Sequence, residues 1–193
     1  MTSRHNEGLV SPADVVSAGL CIGCGSCVAQ SEDAEAGMTW DEYGQLKPSD
    51  GEWLHRRSDR FSRTCPFAPS AANEDELAKA QFPHAAQRDN RIGRFEAAYV
   101  GHAEEQDFRA GGTSGGMISW VAAELLKRGL VDGIAHVTPA SPEIDGRFFR
   151  YQISLTQEDI RRGAKSRYYP IVLSAVITLI RDTNRSSFVS KCE

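Results

Sequence analysis

Apolar positions along this chain fall into short runs separated by glycine, proline and small polar residues, which predicts short elements rather than long helices. Ser11-Pro12-Ala13-Asp14 reads as a helix start, with Ser11 as N-cap, Pro12 in the first turn and Asp14 near the positive end. That helix should run to Gly19. Met38-Thr39-Trp40 and Gln45-Leu46-Lys47 flank a glycine-bearing turn at Asp41-Glu42-Tyr43-Gly44 and predict a hairpin. Ala71 to Arg94, rich in Ala, Asn, Glu and Gln, reads as a connection with one short helix over Glu74 to Lys79.

A stronger pattern follows. Phe95 to Gly101, half apolar and aromatic, predicts a strand. A polar loop then leads to Gly111-Gly112-Thr113-Ser114-Gly115-Gly116. Met117, Ile118, Val121, Leu125 and Leu126 are the apolar positions of a helix that should stop at Gly129, behind Lys127 and Arg128. Leu130 to Val137 predicts a second strand. Strand, loop, helix and strand together predict a right-handed βαβ unit with its ligand at the carboxyl ends of the strands. Arg147 to Ile153 predicts a third strand, and Thr156-Gln157-Glu158-Asp159 caps a short helix through Arg161. A helix from Ile171 to about Arg181 and a strand starting at Ser187-Phe188-Val189-Ser190 complete the reading.

Composition narrows the class. The 193 residues are 40% hydrophobic and 25% charged, ordinary for a soluble globular protein, and the order of the elements above predicts an α+β or α/β fold. A net charge of -4 with scattered Lys and Arg gives no electrostatic case for nucleic acid. Met1 to Val10 is polar and is read as no secretory signal, and no apolar run approaches the ~20 residues of a membrane span. The expected compartment is the cytoplasm, where thiols stay reduced and clustered cysteines point to metal. The expected division is a cysteine module over 1–70, a linker over 71–94 and an α/β domain over 95–193.

Cys21-Ile22-Gly23-Cys24-Gly25-Ser26-Cys27 carries the chemistry of the first part. Cys-x-x-Cys-x-x-Cys is the bacterial ferredoxin spacing for three thiolates on one iron–sulfur cube, and Gly23 and Gly25 permit the tight wrap. Cys65-Pro66 supplies the fourth ligand from a distance, so Cys21, Cys24, Cys27 and Cys65 are assigned to one 4Fe-4S cluster. Four cysteines are also a zinc set, but zinc sites usually pair two Cys-x-x-Cys knuckles. Trp40 and Trp53 read as core or lid residues. Arg56, Arg57, Asp59, Arg60 and Arg63 read as a solvated face, with docking of an acidic redox partner as the alternative.

In the second part, glycines followed by a helix N-terminus make a phosphate or pyrophosphate site, although the loop fits neither the dinucleotide nor the Walker pattern. Gly163-Ala164-Lys165-Ser166-Arg167-Tyr168-Tyr169-Pro170 offers a hydroxyl, two cations and two aromatic rings before the last helix. It either holds another part of a phosphorylated aromatic ligand or packs its tyrosines on the core with Lys165 and Arg167 in water. His102 and His136 read first as hydrogen-bonded structural residues, with a small catalytic chance for His102 beside the glycine loop. No Ser–His–Asp arrangement is evident.

On Cys21 to Cys27, Cys65-Pro66, Arg109 to Gly116, Gly129-Leu130-Val131-Asp132-Gly133 and Lys165 to Pro170, the chain resembles the coenzyme F420 hydrogenase/dehydrogenase beta-subunit family. The resemblance implies a small ferredoxin-like 4Fe-4S module followed by an α/β flavin-binding domain carrying FAD. It implies flavin contacts at Gly112, Thr113, Ser114, Gly115 and Gly116, and also at Lys165, Ser166 and Tyr168. Family members often show Ser-Lys-Tyr where this chain has Ser166-Arg167-Tyr168. They also continue through a strand and a Gly-x-Pro-Cys turn, against Phe188-Val189-Ser190-Lys191-Cys192-Glu193 here, so an incomplete flavin domain is expected. The implied activity is electron transfer among cluster, flavin and an organic substrate or deazaflavin, with a redox protein or small electron carrier as partner. The alternative is a non-catalytic 4Fe-4S electron-transfer subunit of a larger complex.

Overall fold

The computed structural model describes residues 8–49 and 51–183, and the backbone of 188–190. The expectations for Met1 to Glu7, Ser187 and Lys191-Cys192-Glu193 therefore lie outside the described residues.

The chain opens with α1 (Pro12–Ser17), capped as its sequence predicts: Asp14 N–H donates to Ser11 Oγ at 3.2 Å and Ser11 N–H to Asp14 Oδ2 at 2.9 Å. Gly19 closes it in the left-handed region, its N–H on Val16 O and that of Leu20 on Val15 O. The cysteine run leads into α2 (Ser26–Gln30), and β1 (Met38–Trp40) and β2 (Leu46–Pro48) form the expected hairpin with Thr39 opposite Lys47. Two short helices, α3 (Glu52–His55) against α1 and α4 (Asp59–Thr64) against α2, bury Trp53 and Phe61 and deliver Cys65. Trp40 is half exposed.

The stretch expected as a plain connection is structured. It holds α5 (Glu74–Gln81) and the antiparallel pair β3 (Gln87–Asp89) and β4 (Gly93–Phe95). This pair corrects the strand predicted over Phe95 to Gly101. Asp89 Oδ1 accepts the Arg91 N–H at 2.8 Å and turns the chain, so Phe95 pairs with Gln87. Among the described residues no strand covers 96–101, and Tyr99 and Val100 are exposed.

Beyond it come α6 (Phe108–Gly111), α7 (Met117–Lys127), β5 (Gly133–Pro139), α8 (Pro142–Asp145), β6 (Phe149–Ser154), α9 (Gln157–Arg162), α10 (Ser174–Asp182) and β7 (Phe188–Ser190). The helix stop at Gly129 is as read: Gly129 N–H donates to Leu126 O and Leu130 N–H to Leu125 O. The sheet order is β6-β5-β7, with β5 antiparallel to β6 and parallel to β7. The predicted βαβ unit is thereby corrected, because among the described residues no strand before α7 joins β5. The parallel neighbour of β5 instead arrives last, after α9 and α10. Mixed helices and small sheets make the fold α+β.

In one core cluster Phe108, Ala122, Ala123, Ile134 and Ile160 meet, flanked by Met117, Trp120 and Val131. α10 starts three residues later than read: residues 170–173 precede it outside any helix or strand, and Leu173 N–H donates to Cys24 O at 2.8 Å. α10 packs against α2, where Arg181 Nη1 donates to Ala29 O at 2.6 Å.

Candidate functional site

Cys21, Cys24, Cys27 and Cys65 line one apolar pocket, walled by Pro12, Val15, Met38, Phe61 and Pro66. The wrap depends on backbone only glycine provides. Gly23 has φ 73°, and a Cβ there would stand 2.3 Å from Leu46 O; Gly25 has φ 75° and lies against Val172 and Ser174. Lys47 Nζ donates to Cys21 O at 2.6 Å, a tie that the sequence reading missed. Burial pushes the Cys27 thiol up to about 12, with Cys24 and then Cys21 adding negative charge nearby. Burial also raises Cys65, with smaller contributions from Cys24 and Cys21. Deprotonating Cys27 and Cys65 is therefore costly without a compensating cation. Among the described residues no three His, Cys, Asp or Glu are grouped to hold one metal ion. Four cysteines lining one apolar pocket are nonetheless a donor set that suits a thiolate-bound metal group.

The five exposed charges near α4 behave as a solvated face. Arg63 pairs with Asp59, Arg57 with Asp14, and Arg56 reaches Asp33 at 3.9 Å.

The glycine loop lies between α6 and α7. A Cβ on Gly116 would stand 2.1 Å from Phe108 O, and one on Gly112 2.8 Å from the Gly116 Cα. These glycines let the chain cross itself. The N–H of Gly112 donates to Phe108 O and that of Gly116 to Thr113 O, both at 2.9 Å. At Gly112 and Gly116 the backbone donors are thus used within the chain.

Thr113 Oγ1 and Ser166 Oγ are 3.2 Å apart, which brings the two candidate loops together across the sequence. Beside that contact stand two non-glycine residues with positive φ, Ser114 at 47° and Lys165 at 76°. Such strain concentrates where geometry serves a site. Tyr168 is fully exposed, whereas Tyr169 meets Trp40, Phe148 and Phe149 edge to face at 6.1, 5.8 and 5.7 Å. Arg167 does not face water as the packing alternative required. Its guanidinium donates to the carbonyls of Ala164, Lys165 and Ser166 and lies over the Phe149 ring.

His136 is buried, with Nε2 2.7 Å from Ser154 Oγ, as a structural histidine should be. His102 Nε2 lies 2.6 Å from Glu104 Oε1 and 3.0 Å from Arg109 Nη1. One ring nitrogen can donate to the carboxylate or accept from the guanidinium, so the tautomer selects the partner.

The segment from Ser166 to Leu173 thus touches the glycine loop at one end and the cysteine run at the other, with Tyr169 against the hairpin between them. Seven residue steps bound the Cα separation of its ends at about 25 Å.

Residues 98–178 match the family described as coenzyme F420 hydrogenase/dehydrogenase, beta subunit N-term. That stretch contains the glycine loop and the 165–169 loop, and the four pocket cysteines lie before it. No curated protein matches the chain.

Proposed function

We propose that this chain, which over residues 98–178 belongs to the coenzyme F420 hydrogenase/dehydrogenase beta-subunit family, is an iron–sulfur flavoprotein oxidoreductase. Cys21, Cys24, Cys27 and Cys65 would hold a 4Fe-4S cluster, and the paired loops around Thr113 and Ser166 would hold FAD. When bound, the cluster supplies one-electron steps and the flavin the change between one- and two-electron chemistry. The chain's own work is positioning and exclusion of water. The apolar pocket shields the thiolates, Gly23 and Gly25 shape their backbone, and Tyr168 stands free beside Ser166 for an aromatic ligand. The proposed electron partner is a redox protein or a small carrier such as a deazaflavin. Among the described residues no helix is long and apolar enough to cross a membrane.

One observation carries the reading. The Ser166–Leu173 segment joins both candidate sites by hydrogen bonds, to Thr113 at one end and Cys24 at the other. The absorption spectrum of anaerobically purified full chain, before and after dithionite, tests it. A broad band near ~400 nm that bleaches on reduction, together with flavin peaks, is expected. A colourless, zinc-loaded protein would overturn it.

The internal use of the Gly112 and Gly116 N–H groups favours a second reading, an electron-transfer subunit without flavin. Cluster absorption with no extractable flavin would select that reading.

A further inference from the structure

We propose that Lys47 is a positioning residue that raises the reduction potential of the group held by Cys21, Cys24, Cys27 and Cys65, an inference that rests on the cluster reading above. Its Nζ donates to the Cys21 carbonyl at 2.6 Å and to Gln45 Oε1 at 3.2 Å. Two successive residues of β2 thereby hold the cysteine run. The Leu46 carbonyl presses against Gly23, and the Lys47 ammonium grips Cys21. The described pocket lining contains no Asp, Glu, Lys or Arg, so this ammonium is a formal charge fixed beside an otherwise apolar site.

The sign follows from charge. Four thiolates make the site negative, and reduction adds one further electron, supplied in the test by dithionite. A cation at hydrogen-bond distance from the ligand loop stabilises the more negative state more than the oxidised one. Removing that cation therefore makes reduction harder. Fixing the loop alone would not do this, because a hydrogen bond that only shapes the backbone alters loading and stability before potential.

The test is a dithionite redox titration of the anaerobically reconstituted full chain, followed by bleaching of the visible band, on wild type, Lys47→Met, Lys47→Arg and Gln45→Glu. Lys47→Met removes the charge and keeps the apolar stem. Gln45→Glu, at an exposed position, places a carboxylate against the ammonium without disturbing the core. Midpoint potentials more negative than wild type are expected for Lys47→Met and Gln45→Glu, with Lys47→Arg close to wild type. Equal potentials in wild type, Lys47→Met and Gln45→Glu would overturn the proposal while leaving the cluster reading intact. Should Lys47→Met fail to load, Gln45→Glu decides: a negative shift supports the role and no shift ends it. A wild-type chain that takes up no cluster sinks both this proposal and the reading on which it rests.

Discussion

Leu173 and Cys24, far apart in the chain, are joined by a hydrogen bond of 2.8 Å from the amide of one to the carbonyl of the other. The contact sets the approach to α10 against the cysteine run, and Gly25 lies against Val172 and Ser174 immediately beside it. The cysteine run is therefore supported from two sides, by β2 through Lys47 and by the 170–173 segment through Leu173.

Leu173→Pro removes that donor. Leu173 has φ -87°, near the range that proline accepts, so the main loss is the hydrogen bond. A cost of about 1–3 kcal/mol is expected from the carbonyl left without its partner. Iron content after reconstitution should fall in Leu173→Pro and hold in Leu173→Ala, which keeps the N–H. Equal iron in the two variants would show that the contact does not support the pocket.

Gly116 and Gly129 both have positive φ, 72° and 65°, yet their surroundings differ. Nothing lies within 4 Å of a Cβ on Gly129, whereas one on Gly116 meets the Phe108 carbonyl. Gly129→Ala should cost about 1 kcal/mol of left-handed strain. Gly116→Ala should cost on the order of 3 kcal/mol or more, because backbone cannot rotate out of the way. Urea denaturation of the two variants compares them directly.

The two adjacent tyrosines should separate binding from packing. Tyr168→Ala leaves stability within about 0.5 kcal/mol, as expected of an exposed side chain, while lowering the flavin retained on purification. Tyr169→Ala loses three edge-to-face partners and should cost about 2 kcal/mol. Thermal melts paired with flavin extraction read both effects.

Acid should weaken α1 first through its cap. The Ser11 backbone N–H, then its hydroxyl, hold the Asp14 carboxyl below its ordinary 3.8, with Arg57 helping. A carboxyl depressed on folding contributes stability that is fully present above 3.8 and is lost as pH falls through the lower folded value. Urea midpoints of wild type and Asp14→Asn should therefore converge below that pH and differ above it. A constant gap down the acid limb would contradict the assignment.

Local chemistry was legible in the sequence wherever one residue and its near neighbours decide the outcome. The Ser11 and Thr156 caps, the Met38–Pro48 hairpin and the Gly129 stop each rest on contacts a few positions apart, and they stand where the pattern placed them. The cysteine spacing belongs to the same class, because three thiols at three-residue steps must share a neighbourhood. The apolar run at 95–101 misled because alternation reports a side chain's preference for burial, not the presence of a partner strand. There Asp89 and Arg91 turned the chain toward Gln87 instead.

What only the tertiary structure decided are the meetings between distant residues: Thr113 with Ser166, Trp40 with Tyr169, Cys24 with Leu173 and Cys21 with Lys47. None has a local signature, since a hydroxyl, an amide or an ammonium can satisfy itself in water as readily as against the chain, and a ring's preference for burial names no partner. Packing of α10 on α2 and pairing of β1 with β2 remove that choice, and the sequence alone does not say which distant partner the removal will favour. The glycine loop shows the same division. Its residues announced an unusual backbone, but only the fold revealed that Gly112 and Gly116 spend that freedom on crossing Phe108.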